Sequence, residues 1–218
     1  MANKLRAILF DLDGTLLDTL EDLADSTNRS LARHGLPAHP VDAYRYFVGD
    51  GMENLARRVL PEDRRHPQMV GEIEEAVSRE YAEHWADKTR VYPGIPELLD
   101  ALSARNLPMA ILSNKPHAFT LAITARYLRR WSFAAVLGAR DGHPRKPDPG
   151  AALEISTALG LRPAEVLYAG DTNTDMQTAR RAGMYAVGVL WGFREREELL
   201  ESGAQSLAAR PADILGFF

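Results

Sequence analysis

Two aspartates, Asp11 and Asp13, directly follow the apolar run Ala7-Ile8-Leu9-Phe10 and precede Gly14-Thr15. A short apolar run ending in polar turn residues predicts a buried parallel strand that opens into a loop at its carboxyl end. Three later segments put polar groups in the same kind of place. Ser113-Asn114 follows the strand predicted over 108–112. Lys146 lies in the polar loop after 134–137. Gly170-Asp171 closes 166–169, with Asp175 four residues on. Carboxyl ends of parallel strands converge on one sheet edge, where open α/β sheets bind their ligands. Carboxylates gathered there repel one another and are costly to bury unpaired. A divalent cation relieves both problems, and an all-oxygen set suits Mg2+, which shares its shell with waters and a substrate phosphate. A lysine and free backbone amides suit the phosphate itself.

Taken singly, each segment has an ordinary structural explanation. Asp and Gly are common in turns. Thr174 and Asp175 fit the first turn of a helix, and Lys146-Pro147-Asp148-Pro149 marks a stiff loop entering one. The weight lies in their joint order and placement.

The elements that must hold them follow from periodicity. Strands are predicted at 5–11, 108–112, 134–137, 166–169 and 185–189, with helices at 95–104, 118–127, 151–159 and 174–182. This alternation implies parallel βαβ units. Residues 18–87 break it and read as almost all helix. Leu20, Leu23, Thr27 and Leu31 form one stripe, ended by Gly35-Leu36-Pro37. A second helix opens after Gly49-Asp50-Gly51 and stops at Pro61, and a third spans 69–85 with Val70, Ile73, Val77 and Tyr81 on one face. The fold class is therefore α/β, a Rossmann-like parallel-sheet core (1–17 and 88–218) with an inserted α-helical cap (18–87), hinged at 15–19 and 87–92.

Composition narrows the chemistry. The 218 residues carry a net charge of −4, against a nucleic-acid grip built on bulk positive charge. Without cysteine, disulfides, thiolate metal sites and thiol catalysis are excluded. No apolar run approaches the roughly 18 residues of a membrane span, and the N-terminal residues run straight into the first strand, so no secretory leader is expected. The expected setting is the cytoplasm, with no membrane or nucleic-acid partner.

Asp11-Leu12-Asp13-Gly14-Thr15, Ser113-Asn114, Lys146, and Gly170-Asp171 with Asp175 resemble, in order, the four motifs of haloacid dehalogenase-superfamily (HAD) phosphatases. The helical insert resembles the small cap of one subclass. Val48-Gly49-Asp50-Gly51, Tyr92-Pro93-Gly94 and Ser113-Asn114-Lys115-Pro116 resemble the bacterial phosphoglycolate phosphatases within it. Asp50 is a departure, standing where relatives often carry asparagine; facing the site, its charge would oppose an anionic substrate.

The resemblance implies a Mg2+-dependent phosphomonoester hydrolase acting on a small phosphorylated metabolite, 2-phosphoglycolate first, as a monomer or homodimer. It implies Asp11 as nucleophile and Asp13 as acid/base, with a pKa raised by neighbouring carboxylates. Ser113 and Lys146 would bind phosphoryl oxygens together with backbone N–H groups near Gly14 and Asn114, Thr15 would order the loop, and the amides at Gly49 would hold a substrate carboxylate. Asp11, Asp171 and the Asp13 carbonyl would hold Mg2+, with Asp175 holding its water shell or orienting Lys146. Lys115 is a candidate substrate-facing cation and His117 a helix-start residue. Arg57 and Arg58 belong to a solvated face, and Trp85, Trp131 and Trp191 to packing. The alternatives are a pyrophosphatase or a sugar-phosphate phosphatase or mutase of the same fold, and, from another class, a non-catalytic phosphate-binding protein. A dehalogenase would not need Asp13, and a phosphonate hydrolase would need a cap lysine.

Overall fold

The computed structural model describes residues 4–218. Its first strand, β1 (Ala7–Phe10), is fully buried along its length. A continuous apolar run is what a central parallel strand, covered on both faces, requires. Burying Ile8, Leu9 and Phe10 contributes roughly 1.5–3 kcal/mol each.

The chain then forms β2 (Leu17–Asp18), the helices α1 (Leu20–Arg33), α2 (Tyr44–Phe47), α3 (Met52–Val59) and α4 (Pro67–His84), and β3 (Arg90–Val91). The rest alternates as α5 (Ile95–Ala104), β4 (Met109–Pro116), α6 (His117–Tyr127), β5 (Ala135–Ala139), α7 (Gly150–Ala158), β6 (Val166–Gly170), α8 (Asn173–Ala182), β7 (Tyr185–Val189), α9 (Arg196–Glu201) and β8 (Ser206–Ala208).

The chain divides into two compact units. One comprises residues up to Leu17 together with Val91–Phe218, the other Asp18–Arg90. In the first, six parallel strands run in the order β5-β4-β1-β6-β7-β8. This is the doubly wound order, in which the chain builds outward from β1 on one side and then returns to build on the other. The topological switch therefore falls between β1 and β6, and the crevice for a ligand lies beyond their carboxyl ends. Asp11 leaves β1 and Asp171 leaves β6 at that switch.

In the second unit, α1 and α3 pack against α4, with Leu23, Leu31, Leu55, Val59, Val70, Ile73, Val77 and Tyr81 buried. Pro67 at the first position of α4 spares a backbone donor that a helix start leaves unused, and His66 accepts from Met69 N–H at 3.3 Å. Buried Asp22 accepts from the backbone N–H groups of Lys88 and Thr89 at 2.8–3.1 Å, fastening the end of this unit to α1.

Three features differ from the sequence reading. β4 extends past Leu112 to Pro116, but its pairing with β5 is interrupted between those residues. Ser113, Asn114 and Lys115 occupy the interruption. The segments read as hinges carry β2 and β3, which pair as a two-stranded sheet. The elements α2, α9 and β8 were not anticipated. β8 is a three-residue edge strand, Ser-Leu-Ala, with little β propensity. Among the described residues no helix is long and apolar enough to cross a membrane.

Candidate active site

The loop after β1 is wound tightly. Leu12 O accepts from the N–H groups of Thr15, Leu16 and Leu17, and Gly14 N–H donates to Leu17 O at 2.8 Å. Gly14 sits at φ +88°, and a Cβ there would collide with the Asp171 carboxylate. Gly192, after β7, would collide with Asp171 from elsewhere in the same unit if it carried a Cβ. The two glycines make the space into which Asp171 fits. Thr15 Oγ1 donates to Asp171 Oδ1 and Phe193 N–H donates to Oδ2, both at 2.8 Å. Trp191 Nε1 donates to Thr15 O at 2.9 Å, which holds the threonine in turn.

Lys146 is buried, and its Nζ lies 2.8 Å from Asp11 Oδ1, 2.7 Å from Asp175 Oδ1 and 3.2 Å from Leu112 O. Burial works against its charge, but the carboxylates of Asp11 and Asp175 prevail and hold it well above the ordinary lysine range. Asp175 is committed on both sides. Oδ1 receives Lys146 and the Tyr168 hydroxyl at 3.1 Å, while Oδ2 receives Thr172 N–H and Oγ1 at 3.0 and 2.7 Å. The Thr172–Asp175 exchange is a capping box that starts α8, so one carboxylate both begins the helix and aims the lysine.

Asp11, Asp171 and Asp175 are all buried, and one oxygen of each falls within 4.8 Å of the others. Burial, then the charge of Asp175, pushes Asp171 up to about 7. The same causes raise Asp11 well above the carboxylate range, against the pull of Lys146. With all three ionised and Lys146 charged, two negative charges remain without a cation. An all-oxygen donor set with that excess fits a hard divalent ion. Asp11 and Asp171 are the carboxylates best able to hold it, because Asp175 is occupied by its four donors.

Ser113 and Asn114 are both buried. Ser113 Oγ accepts from Lys115 N–H at 3.2 Å and keeps its own hydrogen to donate. The Asn114 side chain is committed to the backbone of Lys146. Its Nδ2 donates to Lys146 O at 3.0 Å and its Oδ1 accepts Lys146 N–H at 2.9 Å. The Asp13 carboxylate meets Lys115 Nζ at 3.1 and 3.2 Å, a cation where neighbouring carboxylates were expected. Thr15 serves Asp171. Gly49 belongs to the helical unit, where Asp50 pairs with Arg58, which also donates to Phe47 O at 3.2 Å. The Asp50 charge thus has a cation beside it, and Arg58 braces that turn. Arg57 pairs with Glu53 at 2.9 Å on an exposed face. His117 begins α6 and accepts from Gly138 N–H at 3.1 Å.

Residues 8–189 match the family model of haloacid dehalogenase-like hydrolases. The chain belongs to this family. It is similar to the phosphoglycolate phosphatase of Chromobacterium violaceum, with 33% identity over 89% of each chain. It is also similar to that of Photorhabdus laumondii, with 32% identity over 97% of this chain and 91% of the other. Its fold is similar to that of a predicted phosphoglycolate phosphatase from Haemophilus somnus, at 28% identity and TM-score 0.89 over 97% of both chains.

The site also contains residues to which the sequence reading gave no role in it. Tyr168, a lone hydroxyl in the apolar run of β6, was the one with a visible signal. Thr172 adds its hydroxyl to its backbone N–H on Asp175, whereas Phe193 reaches Asp171 through a backbone N–H and Gly192 through a missing side chain, which residue type does not announce.

Proposed function

We propose that this enzyme is a Mg2+-dependent phosphomonoester hydrolase of the cytoplasm. It acts through an aspartyl-phosphate on a small phosphorylated metabolite, with 2-phosphoglycolate the first candidate. The observation that carries the reading is the Asp11–Lys146–Asp175 ion-pair chain beside Asp171, at the switch between β1 and β6. The names of the relatives support the substrate.

In the first step Asp11 attacks phosphorus, and the bond from phosphorus to the leaving oxygen breaks as Asp13 delivers a proton to that oxygen. In the second, Asp13 takes a proton from water, which attacks the aspartyl-phosphate, releases phosphate and restores Asp11. Lys146 and the Ser113 hydroxyl stabilise charge on the transferred group, and removing one such donor commonly costs about 10²–10³ in rate. Asp11, Asp171 and the Asp13 carbonyl would hold Mg2+, which would supply positive charge against the repulsion between Asp11 and an incoming dianion. Asp175 and Asn114 act through Lys146, one holding its ammonium and the other its backbone.

Phosphate release from a broad panel of phosphate esters, with and without Mg2+, tests the reading. Mg2+-dependent turnover with 2-phosphoglycolate ranked first by kcat/KM is expected. A low rank for it removes the substrate assignment, and no turnover on any ester removes the reaction.

A further inference from the structure

We propose that Lys115 is the specificity residue for a second anionic group of the substrate, a carboxylate lying two bonds beyond the ester oxygen. This rests on the reading of Asp13 as the group that protonates the leaving oxygen.

The Lys115 side chain is 4% exposed, and its Nζ lies 3.1 and 3.2 Å from the two oxygens of Asp13. The lysine is therefore no solvated surface group. It also stands apart from the phosphoryl chemistry, whose cation is Lys146, tied to Asp11 and Asp175. Each of the two buried lysines thus pairs with a different catalytic aspartate, one on the nucleophile and one on the acid. Burying an ammonium is costly, and orienting one carboxylate needs only a neutral donor. The charge of Lys115 is explained when it faces a second anion.

Distances allow this. An acid must come within about 2.6–3.2 Å of the oxygen it protonates. Two hydrogen-bond lengths, roughly 6 Å, are then the farthest that Lys115 Nζ lies from the leaving oxygen. In a 2-phosphoxy acid a carboxylate oxygen lies about 3 Å from the ester oxygen, from ordinary bond lengths. A further hydrogen bond of about 3 Å spans the remainder. Position along the chain supports the same assignment. Lys115 follows Ser113 and Asn114 in the interruption of β4 pairing, so the segment that donates to the phosphoryl group also aims the second cation.

The test compares 2-phosphoglycolate with 2-hydroxyethyl phosphate, which has the same skeleton with an alcohol in place of the carboxylate. The readout is the ratio of their kcat/KM values. Loss of Asp13 orientation slows both substrates and cancels in the ratio, whereas loss of a carboxylate contact does not. In Lys115→Met the ratio is expected to fall roughly 10–100-fold, the range of a charge-assisted hydrogen bond. Lys115→Arg keeps most of it. Lys115→Gln, which retains donors toward Asp13 without the charge, loses the ratio as Met does and serves where Met does not fold. A ratio unchanged in the Met or Gln variant overturns the proposal while leaving the phosphatase reading intact. So does a wild-type enzyme that turns over both esters equally. A wild-type enzyme inactive on both removes the phosphatase reading, and the proposal with it.

Discussion

Asn114 and Lys146, 32 residues apart, exchange two hydrogen bonds, the asparagine amide pairing with both backbone groups of the lysine at 2.9 and 3.0 Å. The lysine is thus gripped at its backbone by one motif and at its ammonium by Asp11 and Asp175. Truncating Asn114 to Ala leaves a buried N–H and a buried C=O unsatisfied. The expected cost is about 1–3 kcal/mol for each such group left without a partner, read from urea unfolding. Activity should fall as well, because Lys146 loses its fixed approach. An Asn114→Ala enzyme with wild-type stability and kcat would contradict the clamp.

Asp175 presents the opposite case, a carboxylate that touches its lysine directly. Asp175→Ala removes one partner of a buried ion pair and orphans the Tyr168 hydroxyl and Thr172 N–H. Breaking a buried pair typically costs about 3–5 kcal/mol. Loss of the capping box at the start of α8 adds to this. Asp175→Asn keeps the shape but brings an NH2 group among four donors, so it should be destabilised less than Ala while still lowering kcat. Denaturant unfolding and steady-state kinetics on the two variants separate these effects.

The Gly192 site predicts a steric effect with no change of charge. Gly192→Ala places a Cβ against Asp171, which is already held by Thr15 and Phe193. Overpacking of a filled site typically costs about 1–3 kcal/mol. If the displaced carboxylate holds Mg2+ as proposed, the Mg2+ concentration for half-maximal activity should rise. A variant with an unchanged Mg2+ requirement would argue against Asp171 as a ligand.

Stability without metal should fall with rising pH, and the direction follows from Asp171. Its carboxyl is raised from 3.8 to about 7 in the folded protein, by burial first and by the charge of Asp175 second. Between those values the folded state binds more protons than the unfolded chain, so unfolding free energy declines as pH increases. A divalent cation bound to the ionised cluster offsets that decline. Ligand at 100 times its Kd adds about 2.7 kcal/mol. Melting temperatures with EDTA and with Mg2+ at pH 5 and pH 8 should therefore differ more at pH 8. An equal Mg2+ effect at both would count against a cation on this carboxylate cluster.

Legibility from sequence divided along a physical line. Asp11, Asp13, Lys146, Asp171 and Asp175 could be read because chemistry needs those residue types, and strand ends bring them to one edge. The sheet could be read because its strands are continuous apolar runs. Asn114 was placed in the site for its backbone N–H, and nothing local says that its side-chain amide closes on a backbone 32 residues away. The Lys115–Asp13 pair spans 102 residues and depends on the path of β4 through its interrupted pairing. Gly192 and Phe193 act through an absent side chain and a backbone N–H. β8 and α9 are short, and their sequences carry little periodicity to reveal them.

In the proposed reaction Asp11 carries the phosphoryl group between the two steps. Rapid acid quench of enzyme turning over 2-phosphoglycolate with Mg2+, followed by peptide mass spectrometry, tests it directly. The prediction is one phosphoryl group on the peptide containing Asp11, absent in Asp11→Asn. Full turnover with no phosphorylated Asp11 peptide at any quench time, or turnover by an undeamidated Asp11→Asn enzyme, would contradict it.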